Sequence, residues 1–122
     1  MDGIDFRGII DRLDFDPDSN QYTINDYKTS KRYGPWLPED YYRQLIIYAM
    51  LYYEETGVVP MFCGVDWLRF DTTTFVRITS NELDEARALI RDMHKELIER
   101  GTDMEKYELK PMNLCKWCAF YK

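Results

Sequence analysis

The segment Gly8–Lys28, GIIDRLDFDPDSNQYTINDYK, constrains this chain more than any other stretch. Its two halves alternate with the period of a β-strand, in which successive side chains point to opposite faces. Ile9, Leu13 and Phe15 share one face of the first half; Tyr22 and Ile24 share one face of the second. Between them Asp16-Pro17-Asp18-Ser19-Asn20 is dense in turn formers, with Pro suited to the first corner of a type I turn. A loop of Pro17 to Asn20 sets Phe15 opposite Tyr22, Leu13 opposite Ile24 and Asp11 opposite Asp26. Apolar side chains then meet apolar ones, which is how register is normally specified. The first strand is expected to begin by Phe6.

The same register brings the carboxylates of Asp11 and Asp26 side by side on a face that otherwise favours burial. Like charges directly opposite are destabilising, and a desolvated carboxylate needs compensation. A divalent cation is the simplest compensation. Lys28 follows Asp26 by two residues, on the same face. One reading is a hairpin whose ends carry solvated charges. The shared parity of all three residues favours the other, a metal site with a catalytic lysine.

Gly8-x-x-Asp11-Arg12-x-Asp14 followed by Asp26-Tyr27-Lys28-Thr29-Ser30-Lys31 resembles the PD-(D/E)XK nuclease superfamily, and most closely its RecB-like exonuclease branch. Asp11 matches the first acidic position, Asp26-x-Lys28 the second with its lysine, and Gln44-x-x-x-Tyr48 the motif that marks the branch. The resemblance implies a restriction-endonuclease-like fold and a Mg²⁺- or Mn²⁺-dependent deoxyribonuclease. It implies a metal held by Asp11, Asp26 and the Tyr27 backbone carbonyl, with Lys28, Gln44 and Tyr48 completing the catalytic set. Work in DNA repair, recombination or phage DNA processing follows, in a cytoplasmic protein of prokaryotic or phage origin, with DNA and a helicase or other subunit as partners. The branch ordinarily has a helical segment before the first strand, whose glutamate or histidine completes the metal shell. Met1–Asp5 is short and polar, so either the chain is part of a longer protein or that function comes from elsewhere.

After Lys28, the segment from Thr29 to Leu37 reads as a loop. Tyr33 and Trp36 either stack on bases beside Lys31 and Arg32 or cap the core. Pro38 and Gly57 bracket a helix over Glu39–Thr56. Leu45, Tyr48, Ala49 and Tyr52 make its stripe, widened by Ile46, Met50 and Tyr53, so it is largely buried. Met61–Phe70 reads as a central strand, with apolar residues on both faces and Cys63 as a small buried hydrophobe. Asp71 and the threonines make a turn, and Phe75–Ile78 returns as its partner. Thr79-Ser80-Asn81-Glu82 offers a capping box to a helix over Asn81–Arg100, ended by Gly101. Leu83, Ala86, Ile90, Met93 and Leu97 form its stripe. His94, alone on that helix, is not expected to be a ligand. The order is β-β-α-β-β-α, a mixed β-sheet flanked by helices in the α/β class.

The chain has 122 residues, enough for a single core. Residues 1–101 read as that core and 102–122 as a tail. The net charge of −6 opposes generic nucleic-acid binding. Against that, Lys28, Lys31, Arg32 and Arg43 cluster in sequence where a phosphate would arrive, and Arg12, Lys31 and Arg32 are the candidates for phosphate contact. Nothing reads as a secretory signal, and no stretch is long and apolar enough to span a membrane. Three cysteines give no disulfide framework. The tail's Cys115-x-x-Cys118 is similar to the start of the late cysteine set that holds a 4Fe-4S cluster in many RecB-like nucleases. A complete cluster within this chain is not expected, since zinc and iron–sulfur sites commonly take four ligands. Against the nuclease stand two alternatives: a non-catalytic nuclease-like module that binds DNA or protein, and an inactive fragment of a larger iron–sulfur nuclease.

Overall fold

The structure, a computed structural model, describes residues 3–31, 37–108 and 112–119, with the Cys115 side chain also outside the description. The expected bases-or-core roles of Tyr33 and Trp36 therefore lie outside the described residues, as does Arg32. The elements are β1 (Arg12–Asp16), β2 (Gln21–Lys28), α1 (Glu39–Thr56), β3 (Phe62–Trp67), β4 (Thr72–Arg77) and α2 (Ser80–Arg100), followed by single 3₁₀ turns at Met104–Lys106 and Cys115–Trp117. The strands form one mixed sheet in the order β1-β2-β3-β4. β1 and β4 pair antiparallel with their neighbours, and β2 and β3 run parallel, joined by α1. This is the α/β architecture expected for a restriction-endonuclease-like core.

The hairpin register is the expected one: Leu13 faces Ile24 and Phe15 faces Tyr22. The Asp16 carboxylate closes the turn, accepting from the Asp18 amide at 3.0 Å and the Ser19 hydroxyl at 2.8 Å. Asn20 takes the left-handed conformation its short polar side chain tolerates. The start of β1 differs from expectation. Phe6 to Asp11 is not strand, and Ile9 is 75% exposed rather than part of a buried face. The parity argument holds only where β2 supplies a partner, and the ladder stops at Arg12 opposite Asn25.

α1 begins after Pro38 and ends at Gly57, whose left-handed backbone donates its N–H to the Tyr53 carbonyl. It buries Leu45, Ile46, Ala49 and Met50 against Ile24 of β2 and Cys63, Val65 and Trp67 of β3. Each such side chain contributes about 1.5–3 kcal/mol on full burial. β3 ends at Trp67, short of the expected Phe70, and β4 starts at Thr72 rather than Phe75. The Phe70 amide bonds back to the Trp67 carbonyl at 2.9 Å, and Asp71 is left-handed, so Leu68–Asp71 is the turn. The β-branched threonines then pair with β3, Thr74 also accepting from the Trp67 indole at 2.9 Å.

The expected capping box forms on Thr79 and Glu82. α2 packs on α1 through Leu83, Ala86 and Ile90, with Tyr42 donating to Glu85 at 2.9 Å. Its stripe is shorter than expected: Met93 and Leu97 are exposed. Among the described residues no helix is long and apolar enough to cross a membrane.

Candidate active site

The β1–β2 ladder ends one residue short of Asp11. There the Asp11 side chain replaces the backbone: its Oδ2 accepts from the Tyr27 amide at 3.0 Å. On the other edge of β2, the Lys28 carbonyl accepts from the Leu68 amide at 3.0 Å. A strand residue presents its N–H and C=O to one edge, and its neighbour presents them to the other. The Tyr27 carbonyl therefore faces the same edge as the Tyr27 amide, beside Asp11.

Asp26 points to the α1 side of the sheet and is only 4% exposed. Burial pushes its carboxyl pKa up; Lys28 pulls it back, and Asp11 adds to the rise. Lys28 Nζ stands 2.7 Å from Asp26 Oδ2, yet that buried oxygen has no hydrogen bond of acceptable geometry. The ammonium instead donates to Gln44 Oε1 at 2.8 Å, and Gln44 Nε2 donates to the Tyr48 hydroxyl at 2.9 Å. The Tyr41 ring lies under Lys28, 4.7 Å from Nζ to centroid, in cation–π range. Tyr41, Gln44 and Tyr48 share a helix face by their spacing of three and four.

The structure thus brings together Asp11, Asp26, Tyr27, Lys28, Gln44 and Tyr48. Of these residues Arg12 meets the Tyr27 side chain, on the reverse face, and not the Asp11–Asp26–Lys28 group. Parity places Arg12 on the reverse face, where Nε donates to Asp14 at 2.7 Å, and that carboxylate holds the guanidinium pKa above its usual range. Lys31 is exposed just past β2. Arg43 is exposed and pairs with Glu39 at 2.5 Å. His94 is exposed on α2. Cys63 is buried in β3, as expected, and burial pushes its thiol pKa up to about 12. Cys118 is exposed in the tail.

The donor set suits a hard cation. Mg²⁺ is commonly held by one or two carboxylates with water and substrate oxygens completing its shell. Asp11 and Asp26 offer two such groups, one with a buried oxygen lacking a hydrogen bond, beside a carbonyl-bearing strand edge. Among the described residues no site gathers three or more His, Cys, Asp or Glu. Two residues escaped the sequence reading. Tyr41 carried a usable signal, being three residues ahead of Gln44 on the same face. Asn25, buried at 5% exposure, carried none, because Asn in a strand is ordinarily a surface residue.

A comparison with curated proteins gives no match. The model of the PD-(D/E)XK nuclease superfamily matches residues 1–122. Its members are generally metal-dependent nucleases, typically using divalent ions such as Mg²⁺. With an acidic pair, an Asp-x-Lys strand and a mixed four-stranded sheet in agreement, the chain belongs to the PD-(D/E)XK nuclease superfamily.

Proposed function

We propose that this chain is a metal-dependent DNA exonuclease of the RecB-like branch, serving DNA repair, recombination or phage DNA processing. The observation that carries the reading is the meeting of Asp11 and Asp26 beside a lysine held by Gln44. Asp11, Asp26 and the Tyr27 carbonyl would hold Mg²⁺ or Mn²⁺. The bound cation would polarise the scissile phosphate and lower the pKa of a water. Asp11 is kept in place by the Tyr27 amide, and Asp26 by the pairing of β2 with β3 at Val65. Lys28 presents its ammonium to the negative charge that develops on the phosphate as the attacking oxygen bonds and the ester bond breaks. Gln44 accepts from that ammonium and so fixes its direction, and Tyr48 orients the Gln44 amide. Lys31 and Arg32 are assigned to the phosphates of the strand. Cys115 and Cys118 are assigned to a cluster that further chain or a subunit would complete.

Two observations favour a second reading, a nuclease-like module that binds DNA or protein without cleaving it. Lys28 already compensates Asp26 at 2.7 Å, and the chain carries a net charge of −6. Calorimetric titration with Mn²⁺, wild type against Asp26→Ala, followed by DNA digestion with the same samples, decides between them. Binding that vanishes in the variant, with metal-dependent cleavage by the wild type, is the expected outcome. Absence of Mn²⁺ binding would sink the nuclease reading and leave the binding module. Binding without cleavage would point to a fragment that needs further chain.

A further inference from the structure

The face of the sheet away from α1 holds a second polar system. β1 is a five-residue edge strand whose α1-side residues Leu13 and Phe15 are 42% and 48% exposed, so apolar burial anchors it weakly. Its backbone ladder to β2 is reinforced by side chains behind the sheet. Arg12 Nε donates to Asp14 at 2.7 Å, and its Nη1 stands 4.0 Å from Asp66 Oδ2 of β3, reaching across β2. Asn25 of β2 donates from Nδ2 to the other Asp14 oxygen at 2.9 Å. Thr73 of β4 donates to Asp66 at 2.5 Å. Every strand supplies a member.

Asn25 is the buried strut of this belt. Its amide orientation is set by Asp14, since only the NH₂ group can face that carboxylate. Its Oδ1 has no hydrogen-bond partner and rests against Gly64, where a Cβ would lie 2.8 Å away. Glycine on β3 is therefore what lets the strut fit. The belt also sits behind the site. Arg12 pairs with Asn25, and Asp66 and Thr73 lie level with Tyr27, so two of its rows flank the row of Asp26, while Asp14 lies level with Thr23. Arg12 and Asp14 are bonded to each other one and three residues after Asp11, which itself lies outside the ladder.

We propose that Arg12 and Asp14 are positioning residues: through Asn25 and Asp66 they clamp β1 to the sheet and so hold the Asp11 carboxylate on the Tyr27 amide. The consequence for metal affinity rests on the nuclease reading; the consequence for the Tyr27 amide does not. Both side chains are about half exposed, so Arg12→Gln and Asp14→Asn should leave the fold intact.

The test is amide hydrogen exchange of the full chain, read at Tyr27 and at Met50 in α1, with Mn²⁺ calorimetry on the same proteins. In both variants Tyr27 exchange should quicken about tenfold, as for loss of one hydrogen bond, with Met50 unchanged. The Mn²⁺ dissociation constant should rise about tenfold, as for groups that orient a metal ligand. Unchanged Tyr27 exchange overturns the proposal whatever the metal does, and so does a uniform acceleration at both amides, the mark of a merely structural role. If the wild type binds no Mn²⁺, the nuclease reading falls and the exchange result alone decides. A DNA-affinity salt slope that drops by about one with Tyr27 protection intact would make Arg12 a phosphate contact and overturn the clamp.

Discussion

The two faces of the sheet use charge in opposite ways. On the α1 side, Asp26 is buried, carries an oxygen with no good hydrogen bond, and faces a second carboxylate. On the reverse side, the Asp14 and Asp66 carboxylates accept from named donors, and the guanidinium between them is half open to water. The first arrangement sets two carboxylates against one ammonium, a donor set suited to bind a cation. In the second, both carboxylates are met by protein donors, and the buried oxygen left without a hydrogen bond is the neutral Asn25 Oδ1. Asp11 and Arg12 are consecutive residues with different tasks: the pleat of β1 sends Arg12 to the reverse face, and the bond to the Tyr27 amide holds Asp11 at the strand edge.

The largest expected effect breaks the contrast on the α1 side. Asp26→Ala should lower metal-dependent DNA cleavage by about 10³-fold or more, because a cation ligand and its electrostatic contribution go together. Next, Lys28→Met should lower cleavage by about 10²–10³-fold while leaving Mn²⁺ affinity equal or tighter, because the cation's competitor at Asp26 is gone. A parallel loss of Mn²⁺ binding would show instead that Lys28 builds the metal site. Single-turnover cleavage and calorimetry measure the two quantities.

On the reverse side the damage should be to stability. Gly64→Ala puts a methyl 2.8 Å from Asn25 Oδ1 and about 3.0 Å from the Phe75 ring. Denaturant unfolding should report a loss of about 1–3 kcal/mol, the usual range for overpacking. An unchanged midpoint would mean that the strut shifts freely.

The smallest effect is a matter of pH. Burial raises the Asp26 pKa above its usual 3.8, so the folded state holds that proton more tightly than the unfolded state. Its contribution to stability is then fully present below 3.8 and is lost as pH rises through the folded value. Metal-free Asp26→Asn cannot ionise there and should melt a few degrees above wild type at neutral pH, the gap closing on acidification. A gap independent of pH would show that Lys28 neutralises the burial effect. Added Mn²⁺ should narrow the gap at neutral pH by stabilising only the wild type.

Much of this protein was legible in local patterns. The hairpin register, both helices, the capping box and the pairing of Gln44 with Tyr48 follow from periods, turn residues and caps, each of which acts within a few residues. The errors lie where pairing partners decide. Ile9 alternates correctly but has no strand beside it. Leu68 and Phe70 continue a strand pattern, yet the chain turns once the Trp67 carbonyl takes the Phe70 amide. Met93 and Leu97 keep the helical period past the point where α1 ceases to cover them.

The candidate site divides in the same way. Parity and loop length, which are local quantities, put Asp11, Asp26 and Lys28 on one expected face; in the structure β2 carries Asp26 and Lys28, and Asp11 lies outside the ladder, bonded to the Tyr27 amide. Only the tertiary structure could bring Gln44 to Lys28 across the β2–α1 connection, slide Tyr41 beneath the ammonium, and bury Asp26 enough to shift its proton. It alone turned Arg12 toward Asp66 on another strand. Desolvation and charge pairing depend on what packs from elsewhere in the chain, and no local pattern encodes that.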